Sequence, residues 1–90
     1  MTTNEMLALV KNDLEIVNTI QDSFLLHLIA AAQEAIAEEG ITLTASPLDD
    51  NLVRMYTAWL YRKRATDGPM PRMLRHALNN RKISEVTGNA

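Results

Sequence analysis

The residues best suited to proton transfer or metal binding are His27 and His76, and each stands alone. Neither has a second ligand at metal-binding spacing, and no H-E-x-x-H pair, phosphate-cradling glycine loop or G-x-S-x-G elbow occurs. The chain has no cysteine, so thiolate metal sites and disulfides are out of reach, which suits a reducing compartment. His27 falls on an amphipathic stretch and reads as a structural or surface residue. Two carboxylate pairs remain. Glu38-Glu39 closes an alanine-rich segment and reads as a solvated helix end. Asp49-Asp50 follow Ser46-Pro47 in a first helical turn, where the helix dipole favours acids without any catalytic role. The methionines read as core filler. The expectation is a chain that is not an enzyme, with no catalytic residue, metal or cofactor.

What chemistry remains is charge. Residues 1–51 carry nine acids against Lys11, a net of −8, whereas residues 52–90 carry eight bases against Asp67 and Glu85, a net of +6. Such polarity can be satisfied within one molecule, by acidic helices packing on basic ones, or between molecules stacked head to tail. The run Tyr61-Arg62-Lys63-Arg64, followed by Arg72, Arg75, Arg81 and Lys82, has the composition of a phosphate-neutralising patch. The whole chain is nevertheless acidic, at −2. Three consecutive bases on a helix also point about 100° apart and make no stripe. The alternative of a small helix-turn-helix DNA-binding protein, a regulator or a small terminase subunit, would use Arg72, Arg75, His76, Asn79 and Asn80 as readers. Its turn, Thr66–Pro71, is longer than the three or four residues of that motif.

The elements that must position these groups are helical. Ninety residues make one small domain with an aliphatic core, since 47% of residues are apolar and four are aromatic. The pattern [Ser/Thr]-x-x-[Asp/Glu] at Thr2…Glu5, Thr19…Asp22 and Ser46…Asp49 marks three helix starts, the third with Pro47 at the first helical position. Apolar spacing predicts helices over about 4–13 (Met6, Leu7, Val10, Leu14), 20–39 (Leu25, Ile29, Ala32, Ile36), 47–65 (Leu52, Val53, Tyr56, Leu60) and 71–83 (Met70, Met73, Leu74, Ala77, Leu78). Gly40 should stop the second, and Gly68, free to take positive φ, the third. Residues 41–47 alternate apolar and polar and should be extended, available to add to a neighbour's sheet edge. Residues 84–90 read as a flexible tail. The N-terminus lacks the basic region of a secretion signal, and no apolar run is long enough to span a membrane. The expected fold is all-α: a small bundle of four helices with an extended inter-helix loop.

Met55, Trp59 and Arg62 form a row at i, i+4, i+7 on the third helix, beside its inward face. A domain this small has little room for two buried faces on one helix. Tryptophan and arginine are the types enriched at interface centres. The row, with Glu34 and Glu38 as acidic counterparts, is therefore expected to join protomers through unlike patches, which close into a ring when the rotation permits.

The stretch Asp50–Glu85, with "MYTAWLYRKR" and "PMPRMLRHALNNRKIS", and the short helix, "DLEI" junction and long alanine-rich helix before it, resemble the small head–tail connector (adaptor, or head-completion) proteins of tailed bacteriophages. The likeness runs from about Met6 to Glu85 and implies that residues 1–90 are a single connector domain. It implies an all-α virion protein of the neck, made in the host cytoplasm, that forms a dodecameric ring beneath the portal. Such a ring extends the DNA channel without specific DNA binding and joins the capsid to the next neck or tail-completion protein. The resemblance implies portal docking by the C-terminal segment, which here assigns that role to Arg72, Arg75, Asn79, Asn80, Arg81 and Lys82.

Overall fold

The structure, a computed structural model, describes residues 1–86. These fold into four α-helices: α1 (Thr3–Leu14), α2 (Asp22–Glu38), α3 (Pro47–Thr66) and α4 (Arg72–Val86). The chain is a small all-α bundle, as its periodicity predicts. α3 is the central element and packs against each of the other three. α1 and α3 run in the same direction and touch directly, with α2 antiparallel against both. One end of the bundle therefore holds the α1–α2 turn and the C-terminus of α3 (the turn end). The other holds the α2–α3 linker and the N-terminus of α3 (the linker end). α4 lies back along the N-terminal half of α3.

The predicted stripe of α2 is the heart of the core: Leu25, Ile29, Ala32 and Ile36 are all at most 1% exposed. Met6 and Val10 of α1, Leu52, Val53 and Tyr56 of α3, and Leu74 and Leu78 of α4 close around it. Fully burying each of these side chains contributes roughly 1.5–3 kcal/mol. Leu60 is only half-buried. Thr57 and Ala58 take the inward positions instead, and the Thr57 hydroxyl satisfies itself by donating to the Val53 carbonyl at 2.7 Å.

Local chemistry sets the helix ends. Thr2 and Glu5 form a full capping box on α1. Ser46 accepts from the Asp49 amide at 3.2 Å, with Pro47 opening α3. The box expected at Thr19…Asp22 does not form, and α2 begins two residues late, at Asp22. The reason is that the Asp22 carboxylate is held by Lys11 at 2.8 Å, while the Asn18 side chain accepts from the Ile20 amide and turns the chain. Gly40 takes φ 96° and ends α2 as expected. At the end of α3 it is Asp67, not Gly68, that goes left-handed, at φ 50°. α4 runs three residues beyond the predicted Ile83, so Ser84, Glu85 and Val86 are helical rather than tail. The remainder of the expected tail, residues 87–90, lies outside the described residues.

The linker is extended, but it is not free to join another sheet. Ile41 is 2% exposed, in the core. The Thr42 amide donates to Glu85 at 2.7 Å, and its carbonyl accepts from Arg81 at 2.8 Å. The Thr44 amide and hydroxyl both donate to Asp49. The chain's own side chains thus take the backbone groups that a neighbouring strand would need.

Candidate assembly surfaces

The Met55–Trp59–Arg62 row lies in a trough along one flank of α3. Met55 and Trp59 are half-buried and pack against the core instead of standing wholly apart from it. The indole meets Tyr56 edge-on, with centroids 5.5 Å apart, and Lys63 Nζ sits 5.0 Å over its ring. Its Nε1 is buried without a hydrogen-bond acceptor. Arg62 is exposed on the rim. The backbone supplies this arrangement: Pro69 and Pro71 bring the chain back past Trp59, and an open groove of about 420 Å³ remains between α3 and the returning loop. Through Met55 and Met73 this groove continues into a second, of about 600 Å³, along the α3–α4 seam. Leu48, Leu52, Met55, Met73 and Ala77 line the second groove, with Asn51, His76 and Asn80 among its polar residues. Leu48 is 65% exposed and Met73 76%, so neither is the core filler its residue type suggests.

The polarity between the two halves of the chain is satisfied in part inside the molecule. Four of the six ion pairs join an acid of residues 1–51 to a base of residues 52–86: Asp13–Arg54, Glu39–Arg75, Glu39–Lys82 and Asp49–Arg81. This corrects two expectations, the portal contact of Arg81 and the solvated reading of Glu39. Arg81, assigned above to portal contact, is buried; its guanidinium holds Asp49 at 2.8 Å, the Thr42 carbonyl at 2.8 Å and Glu85 at 3.2 Å. Arg75 and Lys82 pair with Glu39, at 3.0 and 3.1 Å, while their side chains stay 43% and 37% exposed. Glu39, read above as part of a solvated helix end, is a structural anion, and so is Asp49, read above as a first-turn acid favoured by the helix dipole.

Their titration reflects this. Burial pushes the Asp49 carboxyl up, but the Arg81 hydrogen bond and the two from Thr44 outweigh it and hold the group below its usual value of 3.8. The Arg75 hydrogen bond, aided by Lys82 and opposed by burial, holds Glu39 below 4.5. Of the other residues assigned above, Arg72, Asn79 and Asn80 are exposed on α4, and Glu34 and Glu38 are exposed on α2. The trough therefore gathers Met55, Trp59 and Arg62, with Asn80 in its lower groove, while Glu34 and Glu38 lie elsewhere, toward the linker end.

Two further apolar patches were not picked out by residue type. At the turn end, Val17 is 95% exposed and Ile20 86%. Glu15 adopts a left-handed conformation, φ 59°, which ends α1 and turns Ile16 toward the core and Val17 away from it. At the end of α4, Ile83 and Val86 are 62% and 86% exposed. The charges left without an ion pair among the described residues are also sorted. Arg62, Lys63 and Arg64 lie at the turn end, with Glu15 and Asp67. The acids Glu5, Glu34, Glu38 and Asp50 lie toward the linker end. Arg64 stacks on Tyr61 and Phe24 and reaches Gln21, which ties this basic cluster to the α1–α2 turn.

Among the described residues no group of three or more metal-ligating side chains converges, and no helix is long and apolar enough to cross a membrane. Compared with protein-family models, with curated proteins and with solved structures, the chain finds no match.

Proposed function

We propose that this chain is a structural assembly protein of the head–tail connector kind: one protomer of a ring that sits beneath a phage portal, extends its channel and joins the capsid to the neck. The observation that carries this reading is the presence of three separate exposed apolar patches on so small a chain. They are Val17 with Ile20 at the turn end, the trough along α3, and Ile83 with Val86 at the end of α4. Large apolar side chains left in water at three places mark contacts with other molecules. A ring protomer needs that number: one surface for each lateral neighbour and one for the axial partner. The patch on α4 supports its assignment as the portal-facing arm, with Arg72 and Asn79 as polar contacts beside it. The unpaired acids Glu34, Glu38 and Asp50 would suit a channel wall that repels the DNA backbone rather than gripping it.

Burying Val17 and Ile20 would contribute about 4 kcal/mol, near the lower bound of what association costs. Single contacts of this size are weak, and symmetry and a portal template would multiply them. The pairing of Arg75, Arg81 and Lys82 leaves Arg72 as the only base of α4 without an ion pair among the described residues. That removes most of the phosphate contacts a recognition helix would use, and weighs against the helix-turn-helix reading.

The test is electron microscopy of the protein mixed with portal. Added ring density at one end of the portal is expected, and its loss with Trp59→Ala at unchanged helicity. Portal particles that remain bare at saturating protein, or tight duplex-DNA binding with a steep salt slope, would overturn the proposal. Val86→Asp is the cleaner probe of the arm and should weaken portal docking, since removal from Glu85 onward would also cut the Glu85 bonds to Thr42 and Arg81.

A further inference from the structure

The trough and the turn-end projection are opposite in shape and alike in chemistry, and they belong to one chain. We infer that the α1–α2 turn of one copy, through Val17 and Ile20, seats in the α3–α4 groove of the next copy, against Leu48, Met55, Met73 and Ala77. This deepens the assembly reading above and rests on it for the identity of the occupant, a second copy of this chain.

Four observations favour that occupant. The projection is a tight turn presenting two aliphatic side chains almost fully to water, at 95% and 86% exposure. The groove, about 600 Å³, has an apolar floor of Leu52, Met55 and Ala77 between the exposed walls Leu48 and Met73, and has room for two such side chains. The projection stands at the turn end and the groove on the linker half of α3, so one molecule cannot fill its own groove; a neighbour displaced along the bundle axis can. Charge runs the same way. The projecting end carries the unpaired bases Arg62, Lys63 and Arg64 beside the unpaired acids Glu15 and Asp67, and the linker end, outside the groove itself, carries only acids among its unpaired side chains, Glu5, Glu34, Glu38 and Asp50. Such a contact joins two different patches, so each copy offers a free projection and a free groove after one contact forms. It therefore propagates until a ring closes.

The absence of native cysteine makes disulfide trapping direct. Val17→Cys and Met73→Cys change exposed residues and leave the core alone. When the two single variants are mixed and oxidised, the mixed disulfide is expected to exceed either homodimer. A chain carrying both substitutions should give a ladder of dimers, trimers and larger species. Adding Val17→Asp to the Met73→Cys chain does not touch the reporter pair. Adding Ile20→Asp to the Val17→Cys chain places a charge in the buried contact and should cut the mixed-disulfide yield by about tenfold or more.

A Met73→Cys homodimer forming in preference would mean that two grooves face each other, and would overturn the inference. No chain-to-chain disulfide at all would mean that the groove serves a different protein, and would overturn it too. The two proposals fail separately. Oligomers that form without this cross-link sink the contact but keep the assembly reading. A ladder from a protein that leaves portals bare keeps the contact and sinks the connector reading.

Discussion

Two clusters of this bundle, one at each end, use their charged and apolar residues in opposite ways. At the linker end, Asp49, Arg81, Thr42, Thr44 and Glu85 bind one another, and Ile41 is buried beneath them. Nothing in that cluster is left over for a partner. At the turn end, Val17 and Ile20 project into water, and Arg62, Lys63 and Arg64 make no ion pair among the described residues, although Glu15 and Asp67 lie at the same end. The lesson is that a charged residue type says little about role until its partner is known. Arg81 and Arg62 are the same chemistry, one committed to holding the fold and the other available to a second molecule.

The largest effect expected from breaking this contrast is at the closed end. The Asp49 and Arg81 side chains are 2% and 7% exposed. Arg81→Ala would strand a buried carboxylate, at a cost of about 3 kcal/mol. For a domain this size that lowers Tm by more than about 10 °C, measurable by thermal denaturation. Val17→Asp, at the open end, should leave Tm within about 2 °C of wild type, because surface changes are usually worth less than 0.5 kcal/mol. Equal losses from the two substitutions would dissolve the distinction between the ends.

Acidification gives an intermediate effect. Asp49 and Glu39 are both held below their usual values. Each therefore contributes stability that is complete above its unfolded value, about 4, and is lost as pH falls through its lower folded value. Denaturant titrations from pH 5 downward should show stability falling, with a shallower fall in Asp49→Asn; a slope unchanged by that substitution would mean the carboxylate is not the anion that matters.

The smallest effect sharpens the open end. Glu15 holds φ 59°, a conformation that costs a residue with a Cβ about 1 kcal/mol. Glu15→Gly should raise stability by up to that amount in denaturant titration, and a loss instead would show that Glu15 makes a contact the turn depends on.

Much of this fold is legible in the sequence. The i, i+3/i+4 spacing of Leu25, Ile29, Ala32 and Ile36 fixes the α2 seam, because burial follows directly from helical period. Ser46-Pro47 and Gly40 mark ends, because their preferences are local. Three of the misses share one cause: they depend on residues distant in the chain. Arg81 looks like surface until Asp49, 32 positions away, is found beside it. Glu39 looks solvated until Arg75 and Lys82 fold over it. The Thr19 box fails because Lys11, on another helix, takes its acid. Of the candidate surfaces, the trough was legible in part, through Met55, Trp59 and Arg62. Its lower half was not, because which of Met73 and Leu74 faces inward depends on how α4 crosses α3. The Val17–Ile20 projection was hidden by a single left-handed residue, Glu15, whose type gives no sign of that conformation.

Above all, two unlike surfaces of one chain should mate. The most direct test of this is the mass of a mixture. Val17→Asp should disable only the projection, and Met73→Asp only the groove. Each variant alone should stay at the chain mass of 10.1 kDa in sedimentation equilibrium. Mixed in equal amounts at about 1 mM, where so weak a single contact is populated, they retain one intact projection and one intact groove between them, so a species of twice that mass, and nothing larger, is predicted. A mixture that stays monomeric while the wild-type chain assembles, or a single variant that still assembles by itself, would contradict the claim.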